Sequence, residues 1–170
     1  MSRPSVHPAA LPVAQLLRDC EEIRTRRGGP GGQHRNKVET AVVLLHLPSG
    51  IEAEAAERRS QAENRRVAVA RLRLALALGV RMPPAGDAAS PLWQTRARGG
   101  KLAVAADHDD YPAIVAEAFD RLAATGCVVA PAAAQLGVTA TQFVNLFRRS
   151  PAAWTALNRL RAKAGLKPLS

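Results

Sequence analysis

The sequence predicts an α+β fold: a small antiparallel sheet with one packed helix, followed by an all-α helical unit. Three observations predict it. Short β-prone runs separated by turn residues occupy residues 20–55. One long helical pattern follows over residues 60–78. Past a stretch rich in Pro, Gly and Ser, residues 108–170 hold helical patterns only.

The first 18 residues carry three prolines and no acid, and they lack the apolar core and cleavage site of a secretory signal. Residues 1–14 are expected to form an N-terminal extension, with a short helix over Leu11–Arg18. A strand is expected over Glu21–Arg27. Next comes Gly28-Gly29-Pro30-Gly31-Gly32, which regular structure does not accommodate. Val42–His46 is β-prone, Pro48-Ser49-Gly50 is a turn, and Ile51–Ala55 alternates as a returning strand. In the helix from about Ser60 to Leu78, Val67, Ala70, Leu74 and Leu78 are expected to form the buried stripe, with Gly79 as the stop. These elements make up a first unit over residues 15–80. Residues 81–107 have little periodicity and are expected to be a linker.

The second unit, residues 108–170, opens at Asp109-Asp110-Tyr111-Pro112, where the acids and an early proline suit a helix start. A helix over Ala113–Thr125 stops at Gly126. Ala132–Leu136, Gly137-Val138-Thr139 and Thr141–Arg149 then read as helix, tight turn, helix, and Ser150-Pro151 begins a last helix to about Ala164. Ala133, Gly137, Val138, Phe143 and Leu146 have the spacing of a helix-turn-helix, a spacing that plain helical bundles share.

Composition bounds the function. The 170 residues carry a formal net charge of +10, with 24 basic and 14 acidic groups. Such a surplus points to polyanions, nucleic acid before membrane surface. The excess lies in two blocks, +5 over residues 1–80 and +5 over residues 111–170, separated by a neutral stretch. No apolar run approaches the roughly 18 residues of a membrane span. Cys20 and Cys127 suit neither a disulfide framework nor a zinc ribbon, and read as free thiols with one of them buried. Asp107-His108-Asp109-Asp110 has the composition of a metal cluster, but consecutive residues do not converge on one ion, and a helix start explains the acids. Trp93 and Trp154 suit core packing better than base stacking.

The glycine-rich run is the most informative segment. It is not a Walker loop, because Gln33 follows Gly32, nor a dinucleotide fingerprint, because His34 occupies the place of the third glycine. The run Gly29-Pro30-Gly31-Gly32-Gln33-His34-Arg35-Asn36-Lys37-Val38-Glu39-Thr40-Ala41-Val42 resembles the signature of the class I peptide chain release factors. More closely it resembles their codon-independent relatives, the ribosome-rescue peptidyl-tRNA hydrolases. The resemblance continues through His46-Leu47-Pro48-Ser49-Gly50-Ile51, Arg59-Ser60-Gln61 and Asn64-Arg65, covering roughly residues 20–80. Gly28, where relatives often have Ser, and Arg35, where many have Val, depart from the pattern without touching Gly-Gly-Gln.

The resemblance implies hydrolysis of the peptidyl-tRNA ester in the ribosomal peptidyl-transferase centre. Gly31, Gly32 and Gln33 are the implied catalytic residues, and Gln33 is also the target of a glutamine methyltransferase. Gly31 and Gly32 permit backbone angles closed to other residues, which would bring the Gln33 N–H to the reacting centre. The chain shows no Ser-His-Asp, Cys-His or HExxH arrangement, as suits a hydrolase whose site is supplied by RNA. Arg24, Arg26, Arg27, Arg35 and Lys37 around the loop are expected to meet RNA phosphates. Arg65, Arg66 and Arg73 on the helix serve equally as RNA contacts or as its polar face. Ser60 and Gln61 suit capping and RNA contact alike. A free glycine-rich loop is expected to be mobile.

The short stretch ahead of Gly31 leaves no room for a codon-reading domain, so the expected activity is stop-codon-independent. Residues 148–170 hold six basic groups and no acid, among them the RNA-binding candidates Arg148, Arg149, Arg161 and Lys163. Rescue factors of the alternative-rescue B type sense an empty message channel with a basic tail, but Phe147, Trp154, Leu157, Leu160 and Leu166 make this segment a helical unit instead. The expected partners are the ribosome, its large-subunit RNA and P-site peptidyl-tRNA. The protein is expected to be a cytoplasmic monomer with no metal or organic cofactor and no membrane association. The rival reading is a non-catalytic ribosome- or nucleic-acid-binding protein acting through the helix-turn-helix-like unit.

Overall fold

The computed structural model describes residues 6–25 and 40–170. A one-turn helix α1 (Val13–Leu16) leads into three antiparallel strands in the order β1 (Cys20–Thr25), β2 (Ala41–His46), β3 (Ile51–Ala55). β1 pairs with β2 from Cys20↔His46 to Thr25↔Ala41, and β2 with β3 from Val42↔Ala55 to His46↔Ile51. The β2–β3 turn is closed by a contact of 2.7 Å between His46 Nδ1 and Ser49 Oγ. Val42, Leu44 and His46 alternate onto the buried face of the sheet.

Helix α2 (Gln61–Gly79) crosses that face. Ser60 caps it, its hydroxyl accepting from Glu63 N–H. The buried positions are Asn64, Ala68, Val69, Leu72, Leu76 and Ala77, a stripe at four-residue spacing offset from the expected one. Ala70 is exposed, and Val67, Leu74 and Leu78 are only half-buried. The expected stripe was misplaced because Ala, Val and Leu populate most faces of this helix, so apolar spacing alone does not choose one. Gly79 ends the helix without a left-handed turn, since the cap residue Val80 is extended. Its bare Cα permits close approach to β3: a Cβ there would lie 2.7 Å from Ile51 Cδ1.

The segment expected to be a linker is structured instead. Helix α3 (Pro91–Arg96), capped by Ser90, runs directly into a hairpin of β4 (Ala97–Arg98) and β5 (Lys101–Leu102). Trp93 is fully buried and donates Nε1–H to Leu136 O at 2.8 Å. One buried aromatic outweighs the turn-rich composition around it. The hairpin tip is Gly99-Gly100, both at positive φ (56° and 76°), the geometry a two-residue antiparallel connection favours.

Four helices complete the chain: α4 (Tyr111–Ala124), α5 (Val129–Gln135), α6 (Ala140–Arg148) and α7 (Pro151–Lys163). Pro112 sits in the first turn of α4, and Gly137 (φ 66°) makes the turn between α5 and α6. Phe119 and Phe143 each meet Phe147 edge-on, with ring centroids 4.8 and 5.3 Å apart. Tyr111 donates its hydroxyl to Leu146 O at 2.9 Å. α4 also packs along α2, and a continuous hydrophobic core runs from β2 through α2 and α4 to α7. Arg73 on α2 ties three segments together. It donates to Ala9 O at 3.0 and 3.1 Å and to Asp109 O at 2.8 Å, so this arginine serves the fold. Among the described residues no helix is long and apolar enough to cross a membrane.

Candidate functional site

Antiparallel pairing fixes where the glycine-rich segment leaves and rejoins the sheet. Thr25, the last residue of β1, is paired with Ala41, the first of β2. Residues 26–40 therefore connect two neighbouring strand ends at one edge of the fold. Gly31, Gly32, Gln33, Arg26, Arg27, Arg35 and Lys37 lie outside the described residues, and the expectation about the loop's mobility falls there too.

The rejoining point is held from α2. Asn64 is fully buried and uses its whole amide. Nδ2 donates to Thr40 O at 2.7 Å and to Arg58 O at 3.0 Å, while Oδ1 accepts from Arg58 N–H at 2.9 Å. A polar side chain sits at the head of the buried stripe of α2 because it binds two chain segments at once: the re-entry into β2 and the loop ahead of α2. Sequence reasoning counted Asn64 as part of a motif but gave it no role. The signal was present, since an Asn four residues ahead of Ala68 in a helical pattern calls for a partner.

The charged groups at this edge are arranged around Glu22 on β1. Arg65 Nε donates to Glu22 Oε2 at 2.7 Å and Arg24 Nε to Glu22 Oε1 at 3.3 Å. These bonds, the Arg65 one first, hold the Glu22 carboxyl below its ordinary range. One carboxylate thus fixes two of the expected RNA-contacting arginines on the sheet and leaves a net positive cluster. Arg66 is exposed and its guanidinium has no partner among the described residues, and the same holds for the guanidinium groups of Arg58 and Arg59. Arg71 is paired with Glu57 at 2.5 Å.

The C-terminal candidates divide. Arg149 donates to Leu102 O at 3.2 Å and to Val104 O, fastening the hairpin to the end of α6. Arg161 donates to Cys127 O at 2.7 Å and Lys167 O at 3.1 Å. Both guanidinium groups hold backbone. Arg148 lies over the Trp154 ring at 5.0 Å, donates to Ser170 O and remains exposed. Lys163 is exposed, with no partner among the described residues. Thr139 caps α6, and Gly137 turns the chain into it from α5, so helix, tight turn and helix follow in that order. In the acidic run, Asp110 accepts from Arg96 at 2.5 Å and so anchors the end of α3. Burial pushes both the Cys20 and the Cys127 thiols up.

A family model described as the RF-1 domain matches residues 17–90. Peptide chain release factor 1 of Chlorobaculum tepidum is 42% identical over 80 residues, covering 40% of this chain and 22% of the relative. Peptide chain release factor 1 of Chloroherpeton thalassium is 55% identical over 80 residues, with the same coverage. The chloroplastic peptide chain release factor PrfB1 of Arabidopsis thaliana is 47% identical over 58 residues, 34% of this chain and 13% of the relative. The chain thus spans about a fifth or less of the length of these relatives. The matched segment holds the Gly-Gly-Gln run, the three strands, α2 and the Asn64 clamp. Residues 17–90 of this chain are thus similar to the RF-1 domain of the peptide chain release factors.

Proposed function

We propose that the protein hydrolyses the peptidyl-tRNA ester in the ribosomal peptidyl-transferase centre without reading a codon, releasing nascent chains from stalled ribosomes in the cytoplasm. The observation that carries this reading is the site at the β1–β2 edge: an RF-1-like domain whose Gly-Gly-Gln run is delivered between two paired strand ends and anchored at its return by Asn64.

Ester hydrolysis requires a placed water and stabilisation of charge on the tetrahedral intermediate and the departing 3′-oxygen. Gly31 and Gly32 let the backbone approach that centre, the Gln33 N–H donates to the developing oxyanion, and the Gln33 side chain orders the attacking water. Arg24, Arg65 and Arg66, with Arg26, Arg27, Arg35 and Lys37, hold the domain on RNA phosphates. The codon-independent reading rests on the resemblance of the run Gly29–Val42 to the codon-independent rescue hydrolases. The rest of the described chain is a hairpin and helical unit packed on α2. Gln33 remains the proposed acceptor for a glutamine methyltransferase, and the protein acts as a monomer.

Purified ribosomes carrying labelled peptidyl-tRNA test the reading. The whole chain is incubated with complexes whose message ends in the P site, offers a sense codon, or offers a stop codon. Release from the truncated complex, at a rate no slower than from the stop-codon complex, supports the proposal. Release only with a stop codon shows codon reading and removes the rescue assignment.

A further inference from the structure

The hairpin of the supposed linker lies beside the helix-turn-helix-like unit and is bonded to it along its length. Thr139 N–H, at the start of α6, donates to Gly100 O at 3.1 Å, and Gly100 forms a parallel bridge with Val138. Leu102 N–H donates to Gln142 Oε1 at 3.2 Å. Arg149, just past the other end of α6, holds the carbonyls of Leu102 and Val104. Residues 100–104 therefore run along one flank of α6, and the tip stands at its N-terminal end. Arg98 and Lys101 flank that tip, are exposed, and have no partner among the described residues. Beside them the outer arc of α6 carries Thr141 and Asn145. From residue 121 to the end the chain has seven basic residues and no acid, so no carboxylate on α5, α6 or α7 offsets this edge.

We propose that the β4–β5 tip and the outer face of α6 form one rigid docking edge for double-helical RNA, gripping its backbone without reading sequence. Two free cations on a preformed hairpin, tied to a helix at both ends, form a cationic rim that needs no ordering on contact. The glycines at the tip carry no side chains, so a phosphate strand can lie close to Arg98 and Lys101. The narrow major groove of an RNA helix excludes α6, so Thr141 and Asn145 face phosphates and 2′-hydroxyls instead of base edges. The choice of RNA over DNA rests on the function proposed above, while the edge itself does not.

The test is fluorescence anisotropy of a labelled 20-base-pair RNA duplex, and of the matching DNA duplex, titrated with the whole chain between 50 and 200 mM salt. The wild type is expected to bind the RNA duplex with a Kd on the order of 1–100 μM, as for sequence-independent binding. Arg98→Ala/Lys101→Ala is expected to weaken it by roughly tenfold or more and to lower the salt slope by about 1.5–2. Thr141→Glu, which keeps every cation but puts a carboxylate on the arc, is expected to weaken binding comparably. Arg159→Ala/Lys167→Ala removes the same charge from α7 and the C-terminal segment, and is expected to shift Kd by less than about threefold. Thermal melts verify that each variant folds. The proposal is overturned if the wild type ignores the RNA duplex, if the two double variants lose affinity equally, or if DNA binds more tightly than RNA. The assay contains no ribosome or peptidyl-tRNA. Failed peptide release with intact duplex binding would therefore remove the hydrolase reading alone.

Discussion

Replacing Asn64 with Ala removes the clamp that holds the return of the glycine-rich segment. Three hydrogen bonds disappear, at 2.7, 3.0 and 2.9 Å, from a side chain with no exposure. Each is worth about 1 kcal/mol net, and a stranded buried partner costs about 1–3 kcal/mol. Arg58 is exposed, so water replaces part of what its backbone loses, whereas Thr40 is half-buried. The expected destabilisation is about 2–4 kcal/mol, read from urea unfolding, with a fall in Tm of about 5–15 °C for a chain of this size. Asn64→Asp sharpens the test. A carboxylate still accepts from Arg58 N–H but turns an oxygen toward the Thr40 and Arg58 carbonyls. At neutral pH it should destabilise at least as much as Ala and recover partly in acid, where a protonated carboxyl can donate once. Hydrogen exchange at the Arg58 amide should quicken in both variants. A change below about 0.5 kcal/mol for Asn64→Ala, or a well-tolerated Asp, would refute the clamp.

Three further outcomes follow from the packing. Trp93→Phe leaves Leu136 O without its buried donor and should cost about 1–3 kcal/mol in denaturant unfolding; no loss would show that the segment around α3 contributes little. Tyr111 is the single tyrosine, and its phenol is pushed up to about 12 chiefly by burial. Absorbance near 295 nm should therefore show only a minor phenolate fraction at pH 10–11 while the protein stays folded, and a normal titration, mostly phenolate by pH 11, would contradict the buried hydroxyl. Asp120 is raised from 3.8 to about 6, first by burial, against the opposing Met82 N–H and Arg81. Because its folded pKa exceeds the unfolded one, its contribution is fully present below about pH 4 and is lost as pH rises through 6. Asp120→Asn should accordingly gain about 2–3 kcal/mol on the wild type between pH 4 and pH 7, and parallel stability curves would reject this.

The strands, α2, and the turn between α5 and α6 were legible because each rests on local signals: alternation in Ile51–Ala55, Ser60 as a cap, Gly137 as a turn. What was not legible depended on long-range packing. The buried face of α2 is chosen by β2 and α4, and its own residues are apolar on nearly every side. The hairpin at residues 97–102 has strands too short for a periodic signal, and it is held by Trp93, Gln142 and Arg149 from distant parts of the chain. At the site, Gly31, Gly32 and Gln33 announced themselves by motif, whereas the duties of Arg149 and Arg161 toward backbone carbonyls could not be told from those of free surface arginines until the fold brought partners to them. Asn64 lies between these cases, visible as an anomaly but without a partner until Thr40 and Arg58 were in place.

The central claim is that Gly-Gly-Gln drives ester hydrolysis on a stalled ribosome. Single-turnover peptide release from ribosomes whose message ends in the P site tests it directly, with the wild type beside Gly32→Ser and Gln33→Ala. The account predicts release by the wild type and, by analogy with the loss of one oxyanion donor, a rate lower by about 10²–10³-fold for Gly32→Ser with ribosome binding retained. Equal rates for wild type and Gly32→Ser, or no release by a wild type that binds the ribosome, would contradict it.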